Sequence, residues 1–150
     1  MKNAKVTEQE VRGFVTEWFV KLDEHAPTTA MLPLLLDEEL VMRFPEGTMT
    51  GHSGFTQWYE ACLNRYFDEK HILHALNIVS HGNSAVVELV VQWQHREWKP
   101  GAARTTFHDY FAAQTWRLRR LPSTRKLGIV EYNVDYYLPA ISPVESETRP

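Results

Sequence analysis

The sequence predicts an α+β domain whose bent sheet wraps a helix and encloses an apolar cavity, and three observations carry that reading. Helical periodicity recurs through the first half of the chain; from His71 onward the apolar period shifts to two; and turn-forming residues cut the second half into four strand-length runs. A cone-shaped, strongly bent, mixed or antiparallel sheet around N-terminal helices satisfies all three. With 150 residues and 43% hydrophobic content, the chain is long enough for one core and too short for two. Residues 1–138 are therefore read as a single domain. Residues 139–150, rich in proline, serine and acid, lack the apolar density to offset ordering entropy and are expected to form a flexible tail.

The first helix is predicted from residue 7 to about 25. Thr7 and Glu10 read as a capping box, and Val11, Phe14, Val15, Trp18, Phe19 and Leu22 recur at helical spacing. A shorter helix starts at Thr28 or Thr29 and runs to Leu36, with Pro33 tolerated near its first turn. Residues 39–44 alternate as a strand, broken by Pro45, Glu46 and Gly47 before a short segment at 48–51. Ser53 is the expected N-cap of a third helix reaching Tyr66, with Phe55, Trp58, Tyr59, Cys62 and Leu63 on its apolar stripe. Strands follow at 72–79, 85 to about 98, 104–119 and 127–137, joined by a hairpin at His81, Gly82 and Asn83 and a turn at Pro100 and Gly101.

Composition narrows the function classes. A net charge of −3 and a pI near 6.2 lack the basic excess of a nucleic-acid binder, so small neutral or apolar ligands are the expected partners. The lone Cys62 cannot form an internal disulfide, the first residues carry no apolar run like a secretion signal, and no segment approaches a membrane span. A cytoplasmic protein without membrane contact is expected. His71 and His74 stand three apart and diverge on a strand, and there is no His-x-His, HExxH or cysteine cluster, so neither a metal nor another cofactor is expected. Gly51-His52-Ser53-Gly54 lacks the closing glycine and the parallel-strand setting of a nucleophile elbow. Arg117, Arg119, Arg120, Arg125 and Lys126 read as a solvated basic hairpin tip, and Asp109 as the partner of an outer-face arginine.

Alternation assigns the sheet faces. Val87, Leu89, Val91, Trp93 and His95 share one side, and His108, Tyr110, Ala112, Gln114, Trp116 and Leu118 share the matching side of the next strand; His74 joins Ile72, Leu76 and Ile78. This places His74, His95, His108, Tyr110 and Gln114 in a cavity walled by Phe14, Trp18, Phe44, Trp58, Trp93 and Trp116. A few polar groups in an apolar wall is how small-molecule sites are built. Neutral imidazoles there can serve as general bases, with Tyr110 donating to a leaving hydroxyl, which is elimination or isomerisation chemistry. The competing reading makes each histidine a satisfied core residue.

The element order, the run Leu35-Leu36-Asp37-Glu38-Glu39-Leu40 through Phe44-Pro45-Glu46-Gly47 to Gly51, and Arg117-Leu118 through Lys126-Leu127-Gly128-Ile129 to Asp135 together resemble the nuclear-transport-factor-2-like superfamily, in its SnoaL-like, ketosteroid-isomerase-like and scytalone-dehydratase-like branches. The resemblance covers residues from about 8 to 138. It implies a homodimer and a pocket protein, either a cofactor-free lyase, isomerase or cyclase or a non-catalytic binding or assembly module, including an accessory subunit like the β subunits of ring-hydroxylating dioxygenases. The position of the isomerase carboxylate base is Phe44 here and that of its donor tyrosine is Trp18, which disfavours steroid isomerisation; Glu46 is a displaced turn carboxylate. His74 and His95 are similar in placement to the paired histidines of scytalone dehydratase.

Overall fold

The computed structural model describes residues 5–140. Helix α1, Glu8–Asp23, starts as the sequence predicts, with Thr7 Oγ1 accepting from the Glu10 amide at 3.1 Å. The Glu10 carboxylate takes a backbone hydrogen bond from Thr7 in return and has a second role. It accepts from Arg120 at 2.7 and 2.9 Å and so ties the start of α1 to the far hairpin. The helix ends at His25, which takes a φ of 54°, while its amide donates to the Leu22 carbonyl.

Helix α2, Thr28–Met31, gives way to a tighter 3-10 turn, Leu32–Leu34, around Pro33. The helix predicted to Leu36 therefore stops short, and Leu36 instead donates its amide to the Ile129 carbonyl at 3.0 Å. Strands β1, Val41–Phe44, and β2, Gly47–Thr50, form a hairpin about Pro45 and Glu46. Helix α3, Gly51–Leu63, begins two residues before the expected cap. The Asp37 carboxylate accepts from the His52 amide at 2.9 Å and caps the helix from outside, leaving Ser53 as an exposed first-turn residue. Gly51 sits at φ 69°, where a Cβ would be strained and would lie 3.4 Å from the Asp37 carbonyl.

Strands β3, Tyr66–His81, β4, Ser84–Glu97, β5, Thr106–Arg120, and β6, Leu127–Pro139, form the expected meander. Tyr66, assigned from sequence to the end of the third helix, is the first residue of β3. The sheet has six strands in the order β2-β1-β6-β5-β4-β3; β1 runs parallel to β6 and every other pair is antiparallel, so the sheet is mixed and open. Its last residues are tied in, because the Ala140 amide donates to the Asp109 carbonyl at 2.9 Å. The rest of the predicted tail lies outside the described residues.

Helix α1 lies on the inner sheet face. Trp18, fully buried, packs against Phe55, Trp116 and Tyr132 with ring centroids 6.2, 6.1 and 5.5 Å away. This aromatic block fills one end of the enclosed space by burial of large apolar area. At the hairpin tip the arginines are paired rather than merely solvated: Arg117 with Glu131, Arg119 with Glu39 and Arg120 with Glu10. Asp109 accepts from the carboxamides of Gln92 and Gln94, not from an arginine. Among the described residues no helix is long and apolar enough to cross a membrane.

Candidate functional site

Two ladders decide which side chains reach the interior. The β4–β5 ladder pairs without a register shift from Ser84 with Arg119 to Glu97 with Thr106, so alternation holds along its whole length. Val87, Leu89 and Val91 face the core, and Trp93, His95 and Glu97 continue that face beside Tyr110 and His108. The β3–β4 ladder shifts register twice, between Phe67 and Lys70, where Asp68 adopts φ 53°, and between Leu73 and Ala75. Each shift changes the parity of the strand. Leu76 and Ile78 pack on the core as predicted, but on the other side of the second bulge the inward histidine is His71, opposite Trp93. His74 is exposed on the outer face, where its Nε2–H donates to Gln92 Oε1 at 2.9 Å. The inward placement expected of His74 is thus corrected, with Ile72, which pairs with the outward Gln92.

The interior holds a chamber of about 330 Å³, mainly apolar in lining, that opens into a polar annex of about 220 Å³; Glu46, Tyr66, Trp93 and Tyr137 belong to both walls. Of the expected ligand contacts, Phe44, Trp58, Trp93 and Gln114 line the chamber. Phe44 and Trp58 stack at 4.8 Å. Phe14, Trp18 and Trp116 belong instead to the packed core, and Trp116 spends its indole N–H on Gln114 Oε1 at 2.9 Å. His95, His108 and Tyr110 line the annex.

In the chamber, His71 is held from three directions. Its Nδ1–H donates to Asp23 Oδ1 at 2.6 Å, its backbone amide donates to Asp23 Oδ2 at 3.1 Å, and its ring stacks between Phe19 at 4.9 Å and Trp93 at 6.1 Å. The proton is therefore pinned on Nδ1. Nε2 has no partner among the described residues and belongs to a side chain in the chamber wall. Trp93 is itself fixed: its indole donates to Glu69 Oε1 at 3.0 Å, and Glu69 Oε2 accepts from His25 at 2.8 Å.

In the annex, Glu97 is a buried carboxylate that accepts from Arg65 Nε and, at 3.0 Å, from His108 Nε2. Burial alone would raise its pKa, but the hydrogen bond and charge of Arg65, with His108, hold it below the ordinary carboxylate value. His95 is 2% exposed, stacked on Trp93 at 3.6 Å with Tyr66 edge-on at 4.9 Å. Desolvation, and then the neighbouring His108, push its pKa down to about 4 against the pull of Glu97. Burial raises the Tyr66 phenol to about 12. Cys62, on the chamber wall, is raised to about 12 by burial and remains a thiol. Among the described residues no group of three or more His, Cys, Asp or Glu side chains could hold a metal ion.

Asp23, His71, Glu69, Arg65, Tyr66 and Glu97 were missed from sequence. Three charged residues in a row, Asp68, Glu69 and Lys70, mark the first irregularity of the strand, but the shift that exchanges His74 for His71 lies between Leu73 and Ala75, where no residue type announces it. Nothing in the sequence brings Asp23 to His71.

No protein-family model and no curated protein matches the sequence. Solved structures do match in fold. A nuclear-transport-factor-2-like superfamily protein from Salmonella enterica superposes with a TM-score of 0.68 at 20% identity, covering 90% of this chain and 92% of that one. A scytalone-dehydratase-like protein from Novosphingobium aromaticivorans superposes with a TM-score of 0.74 at 12% identity, over 89% and 87% of the two chains. The hexachlorocyclohexane dehydrochlorinase LinA-type3 from Novosphingobium barchaimii does so at 0.69 and 12%, over 87% and 88%. The chain has the nuclear-transport-factor-2-like fold.

Proposed function

We propose that the protein is a cofactor-independent lyase or isomerase acting on an apolar or aromatic, oxygen-bearing small molecule, with His71 as the general base and Asp23 as the group that orients it. The observation that carries this reading is the Asp23–His71 pair: a carboxylate 2.6 Å from Nδ1 and an unpartnered Nε2 on the wall of an apolar chamber. In that tautomer Nε2 presents its lone pair to a bound carbon acid, and Asp23 stabilises the imidazolium that forms when the proton arrives. In an elimination the electron pair of the broken C–H bond becomes the new π bond as the β-leaving group departs with its own pair. A departing hydroxide takes the proton back from His71 and leaves as water. The likeness in fold to proteins named for dehydrochlorination and scytalone dehydration supports elimination over other proton-transfer chemistry. Trp93 and the Phe44–Trp58 stack favour a flat ligand.

The test is proton exchange, which needs no knowledge of the natural leaving group. Activated ketones such as α-tetralone, incubated with the protein in deuterated water, are expected to lose their α-proton signal faster than in buffer. His71→Gln should abolish the acceleration while the melting temperature stays near that of the wild type. Acceleration that survives in His71→Gln removes His71 as the base.

A further inference from the structure

The annex serves no step of the base chemistry, and aromatic rings make up most of its wall. Tyr66, Trp93, Tyr110 and Tyr137 line it beside the imidazoles of His95 and His108. The rings meet in corners: Tyr66 stands at 76° to Trp93 with centroids 5.1 Å apart, and Tyr110 at 54° to Tyr137 with centroids 6.0 Å apart. Corners bring several π-systems to bear on one enclosed space, which a single stack cannot do. At about 220 Å³ the recess is smaller than the roughly 300 Å³ at which whole-ligand pockets begin, so it suits a head group whose body lies in the chamber.

The charge around it is one-sided. Across the two walls the carboxylates of Glu46, Glu69 and Glu97 stand against a single guanidinium, that of Arg65. Arg65 is answered by Glu97 and lies 5.2 Å over the Tyr66 ring. Glu46, exposed in the β1–β2 turn, has no hydrogen bond or ion pair among the described residues. Its charge is nonetheless felt inside, because burial first and Glu46 next raise the Tyr137 phenol. His95 adds no positive charge, since desolvation and then His108 keep its ring neutral. A negative field over aromatic rings attracts a cation. Among the buried groups no strong acceptor is free: Arg65 and His108 occupy the Glu97 oxygens, and His95 Nδ1 is sealed from solvent. A primary ammonium would lose its hydrogen bonds to water there, whereas a fully methylated one has none to lose.

We propose that the annex is an aromatic cage for an organic cation, in which Tyr66, Trp93, Tyr110 and Tyr137 surround the methylated ammonium head of a small molecule and Glu46 supplies the counter-charge. Trp93 and Tyr137 belong to both walls, so the apolar body of the same ligand continues into the chamber. The cage is a binding site and does not depend on His71 acting as a base.

Phenyltrimethylammonium and tert-butylbenzene share one shape and differ in charge. By NMR titration at about pH 8, where ordinary imidazoles are neutral, the wild-type protein should bind the cation about ten-fold more tightly, as cation–π contact in a desolvated site predicts. Tyr110 lines the annex and not the chamber, and so locates the head. Tyr110→Leu should lower the preference about three-fold, and Tyr110→Phe, which keeps the ring and drops the hydroxyl, should retain it. Glu46→Gln should lower it about two-fold at low salt and less at high salt, because an exposed charge is screened. Benzylammonium should bind more weakly than phenyltrimethylammonium. Equal affinities for the two isosteres in the wild type, an undiminished preference in Tyr110→Leu, or tighter binding of benzylammonium would overturn the cage. Should Tyr110→Leu not fold, the wild-type complex decides: N-methyl protons shifted upfield by ring currents, with Overhauser contacts to the Tyr110 ring, support the cage, and unshifted N-methyl protons reject it. Cation binding in a wild-type protein that shows no ketone proton exchange leaves the cage standing and removes only His71 catalysis.

Discussion

His71 and His95 both stack on one tryptophan, Trp93, and the structure treats them in opposite ways. His71 gives Nδ1–H to a carboxylate and leaves its other nitrogen open; His95 is denied any partner and is driven to a neutral form by desolvation. The difference teaches that an imidazole's role is set by what its second nitrogen touches. A carboxylate partner orients the ring and supports the proton it collects, whereas a dry, unpartnered ring can serve only as a neutral donor or acceptor.

The largest effect expected from breaking this contrast is in His71→Gln, which should lower ketone proton exchange about 10²- to 10⁴-fold, read by NMR at constant pH, because a positioned base contributes on that scale. Asp23→Asn keeps the shape of the contact but replaces the charge that stabilises the imidazolium; exchange should fall by about 10²-fold, with ligand affinity changed little, measured by calorimetry beside the rate.

A third measurement sharpens the other side. His95 has a folded-state pKa near 4, below the ordinary 6.5, so the unfolded chain binds a proton that the folded chain refuses. Stability from this group is complete above pH about 6.5 and is lost as the pH falls toward 4, by up to about 3 kcal/mol. His108, Glu97, His71 and Arg65 act on the same ring, so the comparison is made against His95→Gln, whose urea midpoint should fall less over that window. A wild-type profile parallel to that of His95→Gln would show that His95 titrates normally.

Glu97→Gln should cost about 1 kcal/mol by urea denaturation, since Arg65 is largely exposed and recovers solvation while His108 loses its acceptor. The smallest effect belongs to His74→Ala. On the outer face, with one exposed hydrogen bond, it should leave exchange unchanged and stability within about 0.5 kcal/mol. A loss of exchange comparable to that of His71→Gln would return His74 to the site.

Period and punctuation made the helices, the meander and the inner face of β4 and β5 legible from residues alone, because alternation is a local property wherever pairing is continuous. That sufficed to place His95, His108, Tyr110, Trp93 and Gln114 on the inward side. It did not suffice for β3: a bulge adds one residue to one strand and inverts everything beyond it, and its position depends on fitting β3 to β4 rather than on any residue type. Nor could it separate core aromatics from cavity aromatics, since Trp116 and Trp93 have the same periodicity and only the packing of α1 fills the space in front of the first. Tertiary structure alone joined Asp23, at the end of α1, to His71, 48 positions later, and left His95 without a partner. The physical reason is the same in each case: period is written along the chain, whereas the partner of a buried polar group is decided by which distant segment closes over it.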